Sequence, residues 1–145
     1  MKINTSQVQI PNNDLLIDAY LVQPEGNDKK CAVIVFQEIF GFNNNIREIT
    51  ELIAKQGYIA IAPAMLQRQA PGFEFGFSAE DKGFSQEAYR LGLEYYQQVK
   101  YKEIFSDIKA TIAYLNNLDN VKTDSIGCIG FCFGGHVAYM AATLP

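Results

Sequence analysis

The sequence predicts an α/β protein built on a doubly wound, mostly parallel sheet, and three observations carry that expectation. Short apolar strands alternate with segments of helical spacing along the whole chain. The run Cys31 to Phe36 is continuously apolar and rich in valine, which suits a strand covered on both faces. The stretch Gly130-Phe131-Cys132-Phe133-Gly134 stands between a further apolar strand and a closing helical segment.

At 145 residues, 48% apolar and 19% charged, the chain has the size and composition of one domain with a real core, and residues 1–145 read as a single unit. The net charge of −4 is spread without a long block of either sign, which argues against nucleic acid as a partner. Met1 to Thr5 lacks the apolar stretch of a secretion signal, and no run approaches the roughly 20 apolar residues that span a bilayer. A cytoplasmic protein with no membrane partner is expected. Cys31, Cys128 and Cys132 form neither an even framework nor a CxxC pair, so reduced thiols are expected rather than disulfides or zinc. His136 is the only histidine and cannot build a histidine-rich metal site.

The elements follow in order. Val8-Gln9-Ile10 and Leu15 to Val22 read as antiparallel strands joined by a turn at Pro11-Asn12-Asn13-Asp14, an edge hairpin. After the Cys31 to Phe36 strand and Gly41, three asparagines offer a helix cap; Ile46, Ile49, Leu52 and Ile53 recur at helical spacing, and Gly57 stops the helix. Tyr58 to Ala62 is the next strand. Gln67 to Ser85 is irregular, with Pro71, Gly72, Gly76 and Gly83 among several phenylalanines, and reads as an excursion above the sheet. Helices are expected at Gln86 to Val99 and around Ile104, Ile108, Ile112 and Leu115, followed by a strand from Ser125 to Gly130 and a helix from Gly134 to Thr143. Sheets of this kind carry their sites beyond the carboxyl ends of the strands, where Glu38 and Cys132 both fall.

Strand, sharp turn and helix in that order form a nucleophile elbow, which lifts a nucleophile clear of the sheet on a strained backbone. Gly130 and Gly134 let the turn close around Cys132, Gly135 relieves packing under the helix start, and the helix N-terminus favours a thiolate. The N–H groups of Phe133 and of Ile39, which follows Glu38, are candidate oxyanion donors. The other reading of Cys132 is one more small buried residue in a glycine-rich turn.

Glu38 directly follows an apolar strand, so a desolvated carboxyl with a raised pKa that acts on the thiol proton is one reading, and a helix-start or loop charge is the other. Arg68, in the excursion, has the planar fork to hold an anionic substrate, although composition alone reads it as a surface arginine. His136 lies one turn into the helix after Cys132, and its ring is expected to point away from the thiol. Cys31 and Cys128 are expected to be buried and inert.

Three motifs in order, Gln37-Glu38-Ile39-Phe40-Gly41, Arg68-Gln69-Ala70-Pro71-Gly72 and Gly130-Phe131-Cys132-Phe133-Gly134-Gly135, resemble the dienelactone hydrolase family of the α/β-hydrolase superfamily. The resemblance runs over essentially the whole chain. It implies hydrolysis of a small cyclic enol ester or related ester through a cysteine acyl-enzyme, without metal or organic cofactor. By the same resemblance Cys132 is the nucleophile, Glu38 the carboxylate that helps activate it, Ile39 and Phe133 the oxyanion donors, and Arg68 the holder of a substrate carboxylate. The family continues past the elbow with strands carrying an aspartate and then a histidine, whereas this sequence stops at Pro145. A truncated hydrolase is therefore expected, inactive alone and prone to self-association through an uncovered sheet edge. A non-catalytic binding or assembly module, or half of a split enzyme, is the alternative.

Overall fold

The computed structural model describes residues 1–77 and 83–145. Its sheet has five strands: β1 (Ile3–Asn12), β2 (Leu15–Pro24), β3 (Lys30–Phe36), β4 (Ile59–Pro63) and β5 (Val121–Gly130), in the spatial order β1-β2-β4-β3-β5. Strands β4, β3 and β5 form a parallel core, and the β1–β2 hairpin extends it with two antiparallel strands. The sheet is thus mixed, with the expected hairpin on one edge and β5 on the other. β1 is longer than its apolar residues announce, because its outer positions are exposed and polar while its backbone pairs with β2 from Ile3 to Asn12. The turn narrows to Asn13-Asp14, with Asn13 at φ 54°, a left-handed conformation that asparagine tolerates.

Helix α1 (Asn44–Lys55) connects β3 to β4, and α2 (Gln86–Gln97) with α3 (Tyr101–Asn116) connects β4 to β5. One crossover runs outward from β3 and the other returns past it, so right-handed connections put their helices on opposite faces of the sheet. Helix α4 (Phe133–Ala141) follows β5 and packs beside α3. Each helix buries one stripe: Ile46, Thr50 and Ala54 on α1, and Ile104, Asp107, Ile108, Thr111 and Leu115 on α3. Between the helix layers every residue of β4 is buried, as expected of a central strand. The excursion after β4 contains no helix or strand between Gln67 and Phe77, and its residues 78–82 lie outside the described residues.

Two details of the pairing position the site. Phe36 pairs with Gly130, so β3 and β5 end level and the segments after them leave the sheet together. The loop after β3 is also stitched to the excursion: Phe75 N–H donates to Phe40 O at 2.8 Å, and Gly41 bridges Glu74. Buried Asn43 joins both systems, its side-chain oxygen accepting from Ile46 N–H at 3.2 Å as the cap of α1 and its amide donating to Phe75 O at 2.7 Å. Asn43→Ala uncaps α1 and strands the Phe75 carbonyl. It is expected to cost about 1–3 kcal/mol in urea unfolding, with an unchanged m-value.

Candidate active site

The turn after β5 is an elbow. Cys132 has φ 54° and ψ −115°, a positive-φ conformation that costs a non-glycine residue of order 1–3 kcal/mol. The surrounding backbone closes it tightly: Gly134 N–H donates to Phe131 O at 2.8 Å, and Gly135 N–H to Cys132 O at 2.9 Å. A methyl group on Gly130 would collide with the Gly134 carbonyl, and one on Gly134 would collide with the carbonyls of Phe36 and Gln37. Both glycines are therefore steric requirements of the turn. The result is an exposed thiol at the N-cap of α4 that makes no capping hydrogen bond.

Cys132 lines a cavity of about 290 Å³ with Ile39, Leu93, Tyr96, Phe133 and His136. Ile39 comes from the loop after β3, as the level ends of β3 and β5 require. Phe133 is the first residue of α4, where an N–H has no intrahelical acceptor. Tyr96 meets the Phe133 ring edge-on at 5.4 Å, and α2 comes so close that a side-chain carbon on Gly92 would sit 2.6 Å from Ile39 O. The cavity is mainly apolar.

Glu38 is partly buried, and its Oε2 is enclosed with no hydrogen-bond partner among the described residues. Burial pushes its carboxyl pKa up. Neighbouring Gln37 is 1% exposed; its side-chain oxygen accepts from Met65 N–H at 3.0 Å and its amide donates to Glu38 O at 3.2 Å. Nothing in the sequence pattern singles out Gln37, because its partners lie on a loop 28 residues away and on the adjacent carbonyl.

Arg68 is held against α3. Its fork is engaged by buried Asp107 on α3, Nε with Oδ2 at 3.2 Å and a terminal nitrogen with Oδ1 at 2.7 Å. Asn12 at the hairpin turn donates to the same Oδ1 at 2.7 Å. The arginine thus ties the excursion to α3 and β1, and it is not among the described residues lining the cavity at Cys132. Asp107 is a partner 39 residues distant that spacing alone cannot reveal.

The remaining candidates divide. His136 does line the cavity, but its ring packs edge-on against Tyr101 at 5.6 Å. Cys31 is half-buried, and Cys128 is exposed rather than buried, because β5 is an open edge strand. The Cys128 thiol still turns under α4 toward Ala138 O at 3.7 Å, and desolvation there raises its pKa. Among the described residues no group of three or more His, Cys, Asp or Glu side chains gathers as a metal site, and no helix is long and apolar enough to cross a membrane.

An elbow cysteine at the carboxyl edge of a β1-β2-β4-β3-β5 sheet, with helices on both faces, defines the α/β-hydrolase class. Within that class, the dienelactone hydrolase family model matches residues 17–145, and the chain belongs to that family. It is 49% identical over 143 residues to a Synechocystis protein named "Putative carboxymethylenebutenolidase", covering 99% of this chain and 55% of the relative. It is 31% identical over 111 residues to the carboxymethylenebutenolidase of Pseudomonas putida, covering 77% of this chain and 44% of the relative. The crystal structure of a "Putative Dienelactone Hydrolase" from Klebsiella pneumoniae superposes with a TM-score of 0.79 at 23% identity, over 98% of this chain and 55% of that one. The chain spans about half the length of the curated relatives it matches.

The orphaned carboxyl of Glu38 makes the pH dependence of stability diagnostic. Its folded-state pKa lies above the unfolded value, so the unfolded chain releases this proton first as pH rises. The contribution of Glu38 to stability is most favourable below the ordinary carboxylate range and declines as pH rises toward the raised folded value. Glu38→Gln is expected to melt a few degrees above the parent at neutral pH, with the difference shrinking below about pH 4. Thermal melts of this chain across pH check it, and a variant that melts below the parent at neutral pH would contradict the assignment.

Proposed function

We propose that this chain is the nucleophile-bearing N-terminal portion of a dienelactone hydrolase-type carboxylic ester hydrolase that cleaves a small lactone or ester through a cysteine acyl-enzyme. The observation that carries this reading is the backbone of Cys132, held at positive φ with an exposed thiol beside a cavity that Ile39 and Phe133 also line. The names of the relatives support the substrate class. A reducing, cytoplasmic setting fits three free cysteines.

In this reading the Cys132 thiol gives up its proton to Glu38, whose carboxyl pKa burial raises above its ordinary value. The sulfur then attacks the carbonyl carbon, a C–S bond forms, and the carbonyl electron pair moves onto oxygen, where the N–H groups of Ile39 and Phe133 donate to it. Collapse expels the ring or alcohol oxygen, which takes up a proton, and water hydrolyses the thioester. In this fold the acid and histidine of the triad follow the nucleophile in chain order, and the relatives are about twice the length of this chain. Further strands paired with β5 would cover its open edge, where Ile129 and Cys128 are exposed. Without them that edge favours self-association.

The geometry does not favour the anionic-substrate role of Arg68, whose fork is already engaged by Asp107. We assign Arg68 to holding α3 against the loop after β4. In the full-length protein, Cys132→Ala is expected to lower turnover of a dienelactone or activated aryl ester by about 1,000-fold or more, and unchanged rates would remove cysteine as the nucleophile. Arg68→Met leaves buried Asp107 with the Asn12 amide as its remaining side-chain partner and is expected to destabilise by about 1–3 kcal/mol in urea unfolding. Its activity losses on an anionic lactone and on a neutral ester should be equal. A loss confined to the anionic substrate would restore the carboxylate-binding role.

A further inference from the structure

We infer that Gln37 is a positioning residue that aims the Ile39 N–H of the oxyanion hole; this rests on the acyl-enzyme reading above. The Glu38 carbonyl and the Ile39 N–H are the two faces of one peptide unit and, in a trans peptide, point in opposite directions. Whatever holds the carbonyl therefore aims the donor. The Gln37 amide holds it at 3.2 Å from a side chain that is 1% exposed. No backbone carbonyl among the described residues accepts from Ile39 N–H, and Ile39 lines the cavity at Cys132.

The orientation of the Gln37 carboxamide is dictated by its partners. Met65 offers an N–H and Glu38 offers a carbonyl, so the side-chain oxygen must face the first and the nitrogen the second. The same residue's backbone carbonyl lies against Gly134, in the first turn of the helix that bears Phe133. Gln37 is thus the point at which the loops after β3 and β4 and the elbow helix meet. On the far side of the loop, Gly92 of α2 lies against Ile39 O and limits movement of the next peptide. A buried clamp of this kind makes one hydrogen-bond donor rigid before the oxyanion forms, which is where such donors act.

Gln37→Glu tests the role because it keeps the size and the acceptor toward Met65 but replaces the donor toward Glu38 O by an acceptor. In the full-length protein it is expected to lower kcat on an activated aryl ester about 10- to 100-fold, with KM within about twofold. The inhibition constant of an aryl trifluoromethyl ketone, whose adduct with Cys132 carries an oxyanion, should rise in the same proportion. Alkylation of Cys132 by iodoacetamide, which forms no oxyanion, should proceed at the parent rate. An unchanged kcat in a folded Gln37→Glu variant would overturn the inference, as would a fall in alkylation rate and melting temperature in step with kcat. Should that variant not fold, Gln37→Met removes the same donor without adding a buried charge; reduced kcat and weaker ketone binding at a parent-like alkylation rate support the inference, and unchanged values of both overturn it. Cys132→Ala in the same assay separates the two levels: if it retains turnover, the acyl-enzyme reading fails, whereas its loss beside an unaffected Gln37→Glu removes only the role of Gln37.

Discussion

Gly134 lies so close to the end of β3 that any side chain there would run into the carbonyls of Phe36 and Gln37, and much of the site depends on that contact. It brings the first turn of α4 onto the carboxyl edge of the sheet, where Phe131 N–H also donates to Phe36 O at 3.2 Å. Cys132 has no relaxed conformation available between these fixed points. Its positive φ follows from the closure of a five-residue turn between β5 and a helix pressed against the neighbouring strand. The level ends of β3 and β5 then bring Ile39 and Phe133 to one cavity.

Several unfavourable features concentrate at this edge. Cys132 is strained, Glu38 has an enclosed oxygen without a partner among the described residues, and the first N–H of α4 lacks an intrahelical acceptor. The layers beneath offset them. Ile34, Val35 and Phe36 of β3 and all of β4 are buried between α1 on one face and α3 with α4 on the other. Around the loop after β3, polar side chains replace sheet pairing: Asn43 connects it to the excursion at Phe75, Gln37 connects it to Met65 just after β4, and Arg47 of α1 pairs with Glu74. The loop that carries Ile39 is therefore held by directional bonds on a rigid base.

The strongest local signals in the sequence were those that solvent exclusion and backbone sterics write directly. Continuous apolar runs marked β3 and β4, helical spacing marked α1 and α3, and glycines flanking Cys132 marked the elbow. Burial of Glu38 was legible too, since it follows three buried residues of a central strand. What was not legible depends on pairing between distant segments. The Asp107 partner of Arg68, the double contact of Gln37 and the exposure of Cys128 follow from strand order and helix placement, which no local spacing encodes. The polar outer residues of β1 hid most of that strand, because their pairing is a backbone property.

The central claim is that the strained cysteine forms a covalent bond to the acyl part of the substrate. Rapid acid quench of the full-length protein with an excess of activated ester, followed by mass spectrometry of its peptides, tests it most directly. The peptide that carries Cys132 should gain the mass of the acyl group within the first turnover and lose it as the ester is exhausted. Steady ester turnover with that peptide unmodified at every time point would contradict the account.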